Sequence, residues 1–155
     1  MEEVTVEDLL MRYAAGCRDF RHILIECANL SGAELQGIDL RGARFIYVNL
    51  SCINLIHCRL GAEFSYCNFR DANIESCDLN YARFFDCDLR GANTSMCDLT
   101  CTAFTRVNLQ GAKLGGFGED PCNFWDVVRY DGVFLPGFNS SLYPRPVNTD
   151  RNDVF

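Results

Sequence analysis

The chain lacks the groups on which most catalysis and nucleic-acid binding depend. It has no glycine-rich phosphate loop, no serine elbow and no dinucleotide fingerprint. Its two histidines, His22 and His57, stand beside no acid pair, nucleophile or ligand cluster that general acid–base work would need. Basic residues are few: 14 Lys and Arg stand against 21 Asp and Glu, a net charge of −7. Phosphate backbones are held by an excess of Lys and Arg, so direct nucleic-acid binding is disfavoured. No apolar run approaches the ~20 residues of a membrane span. The acidic opening Met1-Glu2-Glu3 is not a secretory signal, so a cytoplasmic protein without membrane association is expected. The expectation is no catalytic residue, no metal and no cofactor.

What the sequence does contain is a five-residue repeat. A small–polar–large triplet recurs from residue 18 to residue 114. Its large residue falls at Phe20, Ile25, Leu30, Leu35, Leu40, Phe45, Leu50, Leu55 and Leu60. After a slip of one residue it resumes at Phe64, Phe69, Ile74, Leu79, Phe84, Leu89, Thr94, Leu99, Phe104, Leu109 and Leu114. Strand side chains alternate, so the first and third residues of each triplet face inward and the second faces out. Each unit is one short side plus a corner, and the chain is a stack of coils, not a globule around a pocket. Four sides per coil place Ile25, Phe45, Phe64, Phe84 and Phe104 in one column, whereas three sides scatter them. The reading is an all-β solenoid of four-sided coils, repeated about five times and ~24 Å long.

These triplets resemble the pentapeptide-repeat family, whose consensus is roughly Ala-(Asp/Asn)-Leu-x-x. Ala28-Asn29-Leu30, Ala33-Glu34-Leu35, Ala43-Arg44-Phe45, Cys67-Asn68-Phe69, Cys77-Asp78-Leu79 and Cys87-Asp88-Leu89 carry the likeness. The resemblance implies a right-handed quadrilateral β-helix. The opening Leu9 to Gly16, leading into Arg18-Asp19-Phe20, looks like the N-terminal cap of cyanobacterial members. Some members resemble duplex DNA in shape and charge and bind type II topoisomerases such as gyrase. The acidic charge here fits that alternative, but arginines interrupt the acidic residues.

Both ends of such a rod must be covered, because they expose core and unpaired strand edges. The pattern predicts a capping helix over residues 1–16. Thr5 begins it, Val6, Leu9, Leu10 and Tyr13 form its apolar face, and Gly16 stops it. The repeats occupy 17–116, with Gly115 to Gly118 breaking them. A cap at 117–143 is built on a hairpin around Asp131-Gly132, with Phe124, Trp125 and some of Val127, Val128 and Phe134 covering the last coil. Residues 144–155 read as an irregular or disordered tail. All belong to one domain. Arg18 stands at an inward position, which requires an open or specially capped end.

The cysteines are placed for packing. Cys58, Cys77 and Cys97 share one inward column and Cys67 and Cys87 the opposite one, where alanine stands elsewhere. Cys27, Cys52 and Cys101 fall at outward corners. Function is expected on the outer faces, since scaffold fills the interior. The side outside the phenylalanine column differs from the rest. It gathers Ile46, Tyr47, Tyr66 and Phe85, with Arg44, Arg83 and Glu63 interleaved. Aromatic–arginine clusters recur at protein interfaces. Ile46, Tyr47, Tyr66, Arg83 and Phe85 therefore form the candidate interaction face of a monomeric, non-catalytic scaffold, and its partner is an unidentified protein.

Overall fold

The computed structural model describes residues 1–117 and 122–140. Its elements are β1 (Glu2–Glu3), α1 (Val6–Ala14), β2 (Ile23–Glu26), β3 (Arg44–Ile46), β4 (Glu63–Ser65), β5 (Arg83–Phe85), β6 (Asn93–Asp98), β7 (Ala103–Thr105), β8 (Lys113–Phe117), β9 (Asn123–Val128) and β10 (Phe134–Asn139). The order β1-β2-β3-β4-β5-β7-β9-β10 makes one continuous sheet. It is side two of a four-sided solenoid. Parallel bridges link the outward residues of the other sides: Asp19, Asp39, Arg59, Asp78 and Asp98 on side one; Asn29, Asn49, Asn68, Asp88 and Asn108 on side three; Glu34, Asn54, Asn73 and Asn93 on side four. The short repeat leaves each side room for one triplet, which is why most rungs are single bridges rather than strands.

The interior is a set of stacked columns. Phe45, Phe64, Phe84, Phe104 and Phe124 stack at centroid separations of 5.2, 5.1, 5.1 and 5.2 Å. Fully burying a side chain of this kind contributes ~1.5–3 kcal/mol relative to exposure, and a stack repeats that gain at every rung. Phe124 extends the column beyond the five expected coils. β9 pairs in parallel with β7, Phe104 against Phe124, and antiparallel with β10. The first strand of the terminal hairpin is thus also a sixth rung. Alternation then decides its neighbours: Phe124 and Val127 are buried, whereas Trp125 is 50% and Phe134 55% exposed. Trp125 and Phe134 do not cover the last coil as expected. Nor does the repeat break at Gly115, since β8 pairs through Phe117 with Asp98 of β6.

The N-terminal end is closed as the sequence implies. Thr5 Oγ1 accepts from the Asp8 N–H at 3.1 Å, and α1 buries Leu9. Leu10, expected on the apolar face, is exposed. Arg18 lies outside the core, its guanidinium 3.7 Å from the Tyr13 ring centroid and donating to the carbonyls of Tyr13 and Cys17. β1 adds a short extra strand ahead of the first rung, β2, by pairing Glu2 with Ile23, and Val4 is buried behind it. The expected tail at 144–155 lies outside the described residues.

The buried thiols do more than fill space. Cys58, Cys77 and Cys97 donate to the carbonyls of Leu35, Leu55 and Ile74 at 3.2, 2.6 and 2.8 Å. Among the described residues these three carbonyls accept no backbone N–H. Each thiol supplies a missing donor to the coil below; the Thr102 hydroxyl, at 2.9 Å, is a second donor to the Leu79 carbonyl, which also accepts the Ala82 N–H. The neighbouring sulfurs of Cys58 and Cys97, and then burial, push the Cys77 thiol well above its ordinary pKa, so it stays a donor. Losing a buried donor costs ~1–3 kcal/mol. Cys77→Ala is therefore expected to lower the melting temperature more than Cys77→Ser, which keeps a donor. A thermal melt in reductant in which serine proves the worse replacement would refute the role.

Candidate interaction face

Three turns of backbone bring the predicted face together. Each two-residue corner of the repeat carries one residue in the left-handed region, and in the column that opens from side two these are Cys27, Tyr47, Tyr66, Asp86, Arg106 and Asp126, with φ between 47 and 56°. Ladder hydrogen bonds hold them there: the Tyr47 N–H donates to the Ser65 carbonyl at 3.0 Å and the Tyr66 N–H to the Phe85 carbonyl at 2.9 Å. The corner throws the side chain outward along the rod. Tyr47 and Tyr66, 59% and 45% exposed, stack at 4.7 Å with an interplanar angle of 13°. Phe85 meets Tyr66 edge-on at 5.8 Å and is half-buried. Ile46 is half-buried on β3, in register with Ser65. Arg83 is exposed on β5 and forms no ion pair among the described residues, whereas Arg44 reaches Glu63 at 3.5 Å.

Sequence reading missed what holds this ladder in place. The Arg106 guanidinium lies 4.1 Å from the Phe85 centroid and bonds both carboxylate oxygens of Asp86, each at 2.8 Å. Arg106 hydrogen-bonds the Asp86 carboxylate and holds its pKa below the usual range. A planar cation fixed by a fork-to-fork pair presses on one face of the ring, a geometry that lysine could not provide. The signal was present in the sequence, because Asp86 and Arg106 share the corner column of Tyr47 and Tyr66. One rung beyond Thr105, Trp125 continues the face and meets Phe138 of β10 at 6.4 Å. The face is thus longer than the five residues expected.

The other sides are self-contained. On side one Arg21 and Arg41 fold back on Asp19 and Asp39 at 2.8 and 2.6 Å, and on side three Arg90 on Asp88 at 2.6 Å. Asn68 donates to Asn49, and Asn93 to Asn73, both at 3.2 Å. The side-chain Oδ1 atoms of Asn49 and Asn68 also accept the N–H groups of Ser51 and Arg70. These ladders tie coil to coil and leave little unspent polarity. His22 and His57 are both exposed at corners. Among the described residues no three His, Cys, Asp or Glu side chains converge as a metal site, and no helix is long and apolar enough to cross a membrane.

Stacked five-residue sides of this kind define a repeat scaffold. The profile of the family described as pentapeptide repeats matches residues 26–60 and 82–117 in eight copies. The chain belongs to the pentapeptide-repeat family. Among solved structures it resembles the pentapeptide repeat protein Rfr23 of Cyanothece 51142, with 19% identity, 73% of this chain and 95% of that one covered, and a TM-score of 0.66. At that identity the likeness is one of fold. HetL, a pentapeptide repeat protein involved in heterocyst differentiation regulation in Nostoc sp. strain PCC 7120, matches at 19% identity over 85% of this chain and all of its own, with a TM-score of 0.32. QnrB1, a plasmid-mediated fluoroquinolone resistance protein, matches at 18% identity over 77% and 82% of the two chains, with a TM-score of 0.33. No curated protein matches significantly.

Proposed function

We propose that this protein is a non-catalytic scaffold that docks a protein partner on side two. The observation that carries the reading is the exposed ladder Tyr47–Tyr66–Phe85, braced by Arg106 and Asp86. Aromatic and arginine side chains dominate binding energy at interfaces, and rings already stacked lose little freedom on docking. The test is affinity capture from source-cell lysate in reductant, comparing wild type with Tyr47→Ser, Tyr66→Ser and Phe85→Ser combined. A partner retained by wild type and lost by the variant is expected.

The alternative implied by the family is an acidic DNA mimic that engages a type II topoisomerase. Such a mimic needs a continuous acidic stripe. Here the outward carboxylates of Asp19, Asp39 and Asp88 are each paired with an arginine two residues on. The net charge of −7 is the one feature in its favour. A topoisomerase subunit captured equally by wild type and variant would replace the first reading with this one.

A further inference from the structure

Side two has a relief as well as a composition. Its outward column reads Ile46, Ser65, Phe85, Thr105, Trp125 in register from β3 through β4, β5 and β7 to β9. Large and small residues alternate, so the column is three ridges separated by two slots. Ser65 and Thr105 line one shallow hollow that runs past Phe85, with Tyr66, Arg83, Glu63 and Ala103 around it. The middle ridge is held rigid by Arg106 and Asp86.

The slot period identifies what fits. Two rungs of a β-ladder span about 9.6 Å. A polyproline II turn of three residues spans about 9.3 Å, so residues at every third position would fall into successive slots. Same-face side chains of an extended strand recur at ~6.7 Å, and two α-helical turns span ~10.8 Å; the polyproline II span is the nearest to the slot spacing. Charge points the same way. Glu63 is answered by Arg44 at 3.5 Å, while Arg83 has no ion-pair partner among the described residues. The hollow therefore asks for acceptors, and a polyproline II backbone offers carbonyls free of internal hydrogen bonds.

From this relief we infer that the ligand of side two is a proline-rich segment of the partner, lying along the rod axis with every third residue in the Ser65 and Thr105 slots. This rests on the side-two reading above. The probe is uncharged decaproline, titrated into full-length ¹⁵N-labelled protein, with a Gly-Ser decapeptide as control. Amide shifts at Ser65, Phe85 and Thr105 are expected with decaproline and not with the control. Ser65→Leu with Thr105→Leu fills both slots at outward positions whose column already accepts Ile46 and Phe85, so the fold is kept. That variant is expected to bind decaproline about tenfold more weakly, although its face is more apolar. Equal or tighter binding by the filled variant, equal binding of the Gly-Ser peptide, or no shift at all would overturn the inference. If decaproline fails while the Tyr47, Tyr66, Phe85 variant still loses its captured partner, the side-two reading stands and only the ligand class falls. The alternative outcome to separate is occupancy by the chain's own Pro144-Arg145-Pro146, which lies outside the described residues. Decaproline binding that strengthens about tenfold in full-length Pro144→Gly, Pro146→Gly would assign the hollow to that segment and overturn a partner in trans.

Discussion

Phe84→Ala is expected to destabilise the protein by ~3–5 kcal/mol, the usual cost of removing a buried phenylalanine. For a chain of this size that corresponds to a fall of about 10 °C in melting temperature. Phe84 sits mid-column with rings on both sides, at 5.1 Å from Phe64 and 5.1 Å from Phe104, and Phe69 meets it edge-on at 5.6 Å. Neighbouring coils cannot collapse into the gap without breaking ladder bonds on four sides, so the cavity persists. Among the described residues Phe124 has a ring on one side only, and it is 6% exposed. Phe124→Ala should therefore cost clearly less. Stability in a solenoid is nearly a sum of coil and interface contributions, and an end coil shares one interface where a middle coil shares two. Thermal melts giving the same shift for both variants would contradict the column account.

Gly61→Ala is the second substitution with a large expected effect. The corner Leu60-Gly61-Ala62 has one residue where most corners have two, and Arg44 pairs Glu63 nineteen residues on instead of twenty. A Cβ on Gly61 would stand 2.8 Å from the Asn80 carbonyl oxygen, an atom fixed in the next coil. The Ala62 N–H already reaches the Leu60 carbonyl at 2.6 Å, so the corner has no slack with which to move away. Overpacking against backbone costs ~1–3 kcal/mol. Inserting a residue after Gly61 instead restores the ordinary two-residue corner and is expected to cost less than Gly61→Ala. Denaturant midpoints in the reverse order would show that the short corner itself is required.

The same corner shows why so much of the fold could be read in advance. A repeat turns one structural question into about twenty copies of it, and each inward column is a vote on the number of sides. The six turns become five in the sequence because the pattern is broken near the end. Between Leu114 and Gly116 a second one-glycine corner shifts the register, Cys97 pairing Gly116 nineteen residues on. Yet Cys122-Asn123-Phe124 and Val127-Val128-Arg129 stand twenty residues beyond Thr102-Ala103-Phe104 and Val107-Asn108-Leu109, and that spacing was legible. β1 was not legible, because two exposed glutamates carry no pattern and only pairing with Ile23 and Leu24 makes them a strand.

The candidate face was legible to a lesser degree. Ile46, Tyr47, Tyr66, Arg83 and Phe85 come together on side two because columns fix position, and columns are written in the repeat. What the repeat does not encode is how corner side chains lean. Whether Arg106 turns toward Phe85 or away depends on its pairing with Asp86, a contact between coils that appears only once the rungs are stacked. The exposure of Trp125 follows from alternation, but only after Phe124 is recognised as an inward residue.

The most direct measurement of the central claim is the affinity of the captured, purified partner for three proteins, by calorimetric titration in reductant. These are wild type, the Tyr47→Ser, Tyr66→Ser, Phe85→Ser variant, and a control carrying Met11→Ser and Met96→Ser, which removes apolar side chains 65% and 62% exposed away from the aromatic ladder. Loss of three interface anchors is expected to weaken binding about a hundredfold or more, with the control indistinguishable from wild type. Equal affinity for wild type and the aromatic variant, or an equal loss in the control, would place the interface elsewhere on the rod.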